Sequence, residues 1–317
     1  MPDPILIVTA MSVALGVSGA LSVIIGWPWR RAQTTLYDAG WILGIGIGFC
    51  AGCWVLDIRP HWPPRQDLDR LLVVVVPAAI AVELLAAFPQ VPRWLVWPGR
   101  LVVIAGTARV LLHGTSYLND LTGPGTSEWS PSLAWLILTG LAALEGAVWA
   151  LLSLLARRVK DPSLSICLVV ASAGAAVTVM LSGYATGGQI GLPLAAALAG
   201  ATVALLFKTR AGRGIGPLGV PLVVFFSLLV LGRFFGALSS VHALLLLCAP
   251  LLGCLPELPY LRQLPSWVRG SARVVLVGAV VLIIVVRAQT KFDHDFANSG
   301  ASGAKEPSIQ DYLNFGK

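Results

Sequence analysis

Leu151-Leu152-Ser153-Leu154-Leu155-Ala156-Arg157-Arg158-Val159-Lys160-Asp161-Pro162-Ser163-Leu164-Ser165-Ile166-Cys167-Leu168-Val169-Val170 sets two apolar runs on either side of a short loop that carries three bases. A helix rising ~1.5 Å per residue needs ~20 apolar residues to cross ~30 Å of hydrocarbon. Read outward from this junction, the pattern recurs along the chain. It gives ten spans at 5–27, 39–56, 71–88, 101–118, 133–156, 164–184, 190–207, 217–237, 241–256 and 274–287. The predicted fold is an all-α polytopic membrane protein: a transmembrane helical domain over 1–287 and an extracytoplasmic C-terminal tail over 288–317.

Composition supports the same class. Hydrophobic residues make up 56% of the 317 and charged residues 12%, with a mean hydropathy of +0.82. A water-soluble fold could not cover that much apolar surface with so few polar groups. The ten spans and their connections leave no room for a sizeable soluble domain.

The loops give the orientation. Thirteen bases lie in loops one, three, five, seven and nine: Arg30, Arg31, Arg93, Arg100, Arg157, Arg158, Lys160, Lys208, Arg210, Arg213, Arg262, Arg269 and Arg273. The alternate loops hold Arg59, Arg65 and Arg70. Bases flanking a span are retained on the cytoplasmic side, so the odd loops are predicted inside and both termini outside, in a cell membrane of the bacterial inner-membrane kind. The pI near 9.5 then reads as topology and as attraction to an anionic inner leaflet, not as affinity for nucleic acid. Tryptophans fall at span ends as amphipathic rings do. Trp27, Trp29, Trp41, Trp94, Trp97 and Trp267 are expected at the inner interface, Trp54, Trp62, Trp129 and Trp135 at the outer one, and Trp149 well inside a span.

Charge within the spans points to function more directly, because each buried charge costs several kcal/mol unless paired or hydrated. Glu83, Arg109 and Glu145 lie at calculated depths of ~8, ~12 and ~17 Å from the inner boundary, close enough in level to meet. His113 follows Arg109 by one turn. The four form a candidate midplane site for a proton or a cation, or an ion pair that fixes helix packing. Span two carries Gly40, Gly44, Gly48 and Gly52, a groove for close helix packing, a homodimer seam or an ion path. It also holds Cys50 and Cys53, spaced as a thiol redox pair although all five cysteines sit in apolar runs. Arg233 and His242 fit span boundaries. The glycines of residues 212–216 lack the strand a phosphate loop would need, and His61, near Asp57, Asp67 and Asp69, sits in a proline-rich surface loop. No metal site or cofactor signature follows from the sequence.

Halving the chain sets spans one to five against six to ten in opposite orientation. Span four is weakened by Gly106, Arg109 and His113, and span nine by Pro250, Gly253 and Pro256. In helix count and in the rank of its short helices the chain resembles the five-plus-five carriers of the bile-acid and auxin-efflux type, without their sequence motifs. That resemblance implies an inverted repeat and a binding site at the midplane. The tail suggests another role. Ser308 and Asp311 have capping-box spacing, and Ile309, Tyr312, Leu313 and Phe315 would supply apolar anchors for a membrane-protein partner. A carrier, an accessory subunit of a larger complex and a thiol redox protein are thus the functional readings. A membrane enzyme is the poorest fit, since acids are scarce on the inner loops.

Overall fold

The computed structural model describes residues 3–26, 34–118, 129–159, 161–206, 216–257, 260–261 and 263–301, and every regular element among them is a helix. Nine helices are long and apolar enough to cross a membrane. They are α1 (Pro4–Gly26), α2 (Thr34–Val55), α3 (Asp67–Ala87), α4 (Arg93–Leu111), α5 (Pro131–Arg158), α6 (Ser163–Leu181), α7 (Ala185–Leu206), α9 (Ser240–Glu257) and α10 (Ser266–Ala301). Between α7 and α9 lies the shorter α8 (Gly219–Phe234), whose residues from Gly219 to Gly232 are all buried. The protein is a multi-pass membrane-type helical bundle.

Helix starts follow local chemistry. Ser130 and Ser239 sit before α5 and α9, and their hydroxyls accept from the amides of Leu133 and His242, satisfying donors that a helix start leaves open. Before α6, Asp161 Oδ1 accepts from Ser163 N at 3.0 Å. The link from α6 to α7 is only Ser182 to Tyr184, and Gly183 turns it at φ +89°, in the left-handed region that glycine enters without cost. The loop before α3 winds around the buried Asp69 carboxylate, which accepts from the amides of His61, Arg65 and Gln66 at 3.1–3.2 Å. Asp69 is thereby engaged in holding this loop.

Small residues set the closest packing. A Cβ on Gly48 would lie 2.8 Å from the Ala14 carbonyl of α1, and one on Gly52 would lie 2.7 Å from Pro193 of α7. Gly44 faces the Ser18 carbonyl, the Gly40 carbonyl accepts from Ser22 Oγ, and Ser18 Oγ donates to the Ala197 carbonyl at 2.7 Å. The groove on α2 is filled from within the chain by α1 and α7, so it is not an open seam for a second copy. α8 runs through the middle, against α2 through α7 and α9.

Several boundaries differ from the sequence reading. α4 starts at Arg93 and passes Gly106 unbroken, and α10 starts at Ser266 and continues past 287 to Ala301. Of the two spans expected to be interrupted, the ninth is, since α9 tightens to 3₁₀ over Ala249–Glu257 around Pro250, Gly253 and Pro256, whereas the fourth is not. The other interruption lies in α3, with a π-helical turn at Leu71–Val75 before Pro77. Trp41 is enclosed, under Gly216, and donates Nε1–H to the Pro217 carbonyl at 3.2 Å, so it belongs to the core. The two halves also pack differently: α6 lies along α10, whereas α1 and α5, which would correspond to them in an inverted repeat, share no extended contact.

Candidate functional site

The buried acids of the spans do not share Arg109. Glu83, fully enclosed on α3, is gripped by Arg100 of α4 in a fork, Nε to Oε1 at 2.8 Å and Nη2 to Oε2 at 3.1 Å. The guanidinium also lies between two indoles, 5.6 Å from the Trp97 ring centre and 5.5 Å from that of Trp149 on α5. Gly219 opens α8 beside this pair, and a Cβ there would fall 2.5 Å from the Glu83 side chain. Only glycine lets the positive end of the α8 backbone dipole come so close to the carboxylate.

Glu145 stands one turn before Trp149 on α5, on the same helix face. It is fully buried, about 20 Å along the helix from Arg158, and both carboxylate oxygens lack a hydrogen-bond partner among the described residues. Arg109 meets His113 Nδ1 at 3.2 Å on the exposed side, and the His113 carbonyl accepts from Arg70. The expected four-residue cluster is therefore replaced by three separate features: the Glu83–Arg100 fork over Trp149, Glu145 by itself, and Arg109 with His113. The physical reason is reach. Arg100 lies two turns inside α4, near the end where Glu83 sits.

The end that carries Arg93, Arg157, Arg158 and Arg269, here called the basic end, holds a second cluster that the sequence reading did not single out. Arg273 is 1% exposed. Its Nη1 donates to Asp161 Oδ2 at 2.9 Å and to Ser163 Oγ at 2.8 Å, its Nε to the Gly253 carbonyl at 3.3 Å, and its Nη2 to Glu257. Arg269 adds a 3.3 Å contact to Glu257. One guanidinium thus ties α10 to the start of α6 and to the 3₁₀ end of α9, and it occupies a carbonyl that the tightened helix leaves open. The signal was present in the sequence, since Asp161 and Glu257 stand among bases on inner loops where acids are scarce.

At the far end, Tyr184 donates to Asp67. Burial, then this hydrogen bond and the adjacent carboxylate charge, hold the phenol above its usual range. Tyr117, Trp129 and Phe234 pack as a triad there, with ring centres 4.9–5.6 Å apart. Cys50 is exposed and Cys53 buried, both as free thiols. Ile309, Tyr312, Leu313 and Phe315 lie outside the described residues. No protein-family model matches the chain, and no curated protein matches it.

Proposed function

We propose that the protein is a membrane carrier of the secondary-transporter kind, with Glu145 as the group that takes up and releases a proton or a cation. One observation carries this reading: an acid at the middle of a membrane-length helix, wholly enclosed, with neither oxygen hydrogen-bonded among the described residues. Ionised, it costs several kcal/mol unless a cation or donors meet it. A helix that only had to pack would do as well or better with an apolar side chain there. An exchanging site, by contrast, needs a group that is bare in one state and compensated in another. Toward the basic end, Trp149 stands one turn on from Glu145 along α5, with the Arg100 guanidinium 5.5 Å from its ring centre. The concentration of bases at that end favours its being cytoplasmic, in a bacterial inner membrane with anionic inner-leaflet lipid, and both termini outside.

Proteoliposomes enclosing a pH indicator test the proposal. Across a panel of solutes, the wild-type protein and Arg109→Ala should couple solute entry to proton movement, and Glu145→Gln should not. Coupling that survives in Glu145→Gln would refute the assignment.

A further inference from the structure

An open groove of about 620 Å³ runs between the start of α6 and the first turns of α10 at the basic end. Its lining is graded. Asp161, Ser163, Ser266 and Ser271 supply polar atoms, and Ile166, Val274 and Val275 supply apolar ones, with Val274 and Val275 about 12 Å along α10 from Ser266, toward the middle of the span. Beyond them Leu282, Ile283 and Val286 face outward. Trp267, three-quarters exposed, stands at the polar end where an interfacial indole belongs. A mainly apolar groove with a polar end, continuing onto an apolar outer helix face, has the shape of a phospholipid, head at one end and chain along the other.

The charge shown to that head is unlike the rest of this end of the molecule. Arg273 is 1% exposed and sits behind Asp161, out of reach of a ligand in the groove, whereas the Asp161 side chain is 32% exposed. Oδ1 of Asp161 is taken by Ser163 and Arg273, while Oδ2 holds one bond and lies near Gly270, which lines the groove. A carboxylate oxygen accepts more than one donor, so Oδ2 has capacity left. On an end rich in arginine, which attracts anionic lipid generally, this groove presents a carboxylate and hydroxyls instead. We infer that it is a binding site for a phospholipid with a primary-ammonium headgroup, the ammonium donating to Asp161 Oδ2 and the acyl chain lying along Val274 and Val275. A quaternary ammonium has no N–H to give, and a glycerol headgroup brings no positive charge.

Native mass spectrometry of the full chain in mixed micelles tests this, with dioleoyl lipids bearing ethanolamine, choline and glycerol headgroups at equal concentration. The ethanolamine lipid should be retained about tenfold over the choline lipid, the ratio expected of one charge-assisted hydrogen bond at a partly hydrated site. Gly270→Leu, whose Cβ would sit at ordinary contact distance from Ser163 and Asp161, fills the groove and should abolish the preference. Trp267→Ala with Ser271→Ala, both at exposed positions, should reduce it even if the leucine variant fails to fold. Equal retention of the three lipids, preference for the glycerol lipid, or a preference untouched by both variants would overturn the inference. So would displacement of the lipid by soluble glycerophosphoethanolamine, which would show that a free amine and not a lipid is the ligand.

Discussion

Arg273→Ala is the most informative single change, because one side chain joins three helices. It removes donors from Asp161, Ser163, the Gly253 carbonyl and Glu257 together, at a position 1% exposed. Breaking a buried ion pair costs about 3–5 kcal/mol, mostly through the charge left behind. Here the low end applies. Glu257 keeps Arg269 at 3.3 Å, and Asp161 keeps the Ser163 amide and partial exposure. A loss of about 3 kcal/mol corresponds to a drop of about 6–12 °C in Tm, at the 2–4 °C per kcal/mol of a large domain. Arg273→Met with Asp161→Asn and Glu257→Gln should recover more than half of it, since no uncompensated charge then remains. Arg273→Lys should fall between, because a single ammonium cannot reach both carboxylates and the carbonyl at once. Melting in detergent, followed by the intrinsic tryptophan signal, measures all four proteins. A shift under about 2 °C for Arg273→Ala, or a triple variant no better than the single, would refute the reasoning.

Four further outcomes are expected. Arg100→Ala should lower Tm, with Glu83→Gln recovering part of the loss, whereas Arg109→Ala should cost under about 1 kcal/mol; equal losses for the two arginines would restore the cluster expected from sequence. Gly48→Ala should destabilise by about 1–3 kcal/mol, since its Cβ meets the α1 backbone at 2.8 Å, while Gly140→Ala, with nothing within 4 Å, should be neutral or stabilising by thermal melting. A reporter fused after Lys317 should read as extracytoplasmic and one beside Arg158 as cytoplasmic; the reverse at both sites would invert the orientation. Tyr184, whose phenol is held up in the fold, contributes stability below the unfolded value of about 10 that is lost as pH rises beyond it. The melting temperature of wild type should thus fall above pH 10 more steeply than that of Tyr184→Phe.

Nine of the ten expected spans were legible as membrane-length helices because apolar length is a property of composition and needs no knowledge of neighbours, whereas the eighth, expected over 217–237, is the 16-residue α8. Helix starts were less so, and the errors share a cause. Spans four and ten were begun after Arg100 and Arg273, as if a base must lie outside the membrane, yet both helices begin a turn or more earlier and carry those arginines inward to Glu83 and Asp161. Apolar residues upstream, Trp94 to Trp97 and Trp267 with Val268, continue the helical face and were the available clue. The glycine spacing of α2 was plain in the sequence, whereas its partner, a face of α1 centred on Ala14 and Ser18, could not be read from spacing alone. Glu145 was visible as a buried acid. That it stands by itself depends on where α4 places Arg109, which only the fold decides.

The central position of α8 bears on how the protein is made. With 16 residues, it spans about 24 Å, less than the ~30 Å of hydrocarbon, and its side chains from Gly219 to Gly232 are enclosed by protein. Its sequence is largely apolar, but its surroundings are other helices. Assembly must therefore include a step in which α2 to α7 and α9 close around it, beyond the insertion of the separate spans. A polar substitution on α8 tests that closure more than insertion. Such a variant can insert with normal topology and still leave the surrounding helices unable to shut, a defect that quality control would meet as an unassembled bundle and not as a failed insertion.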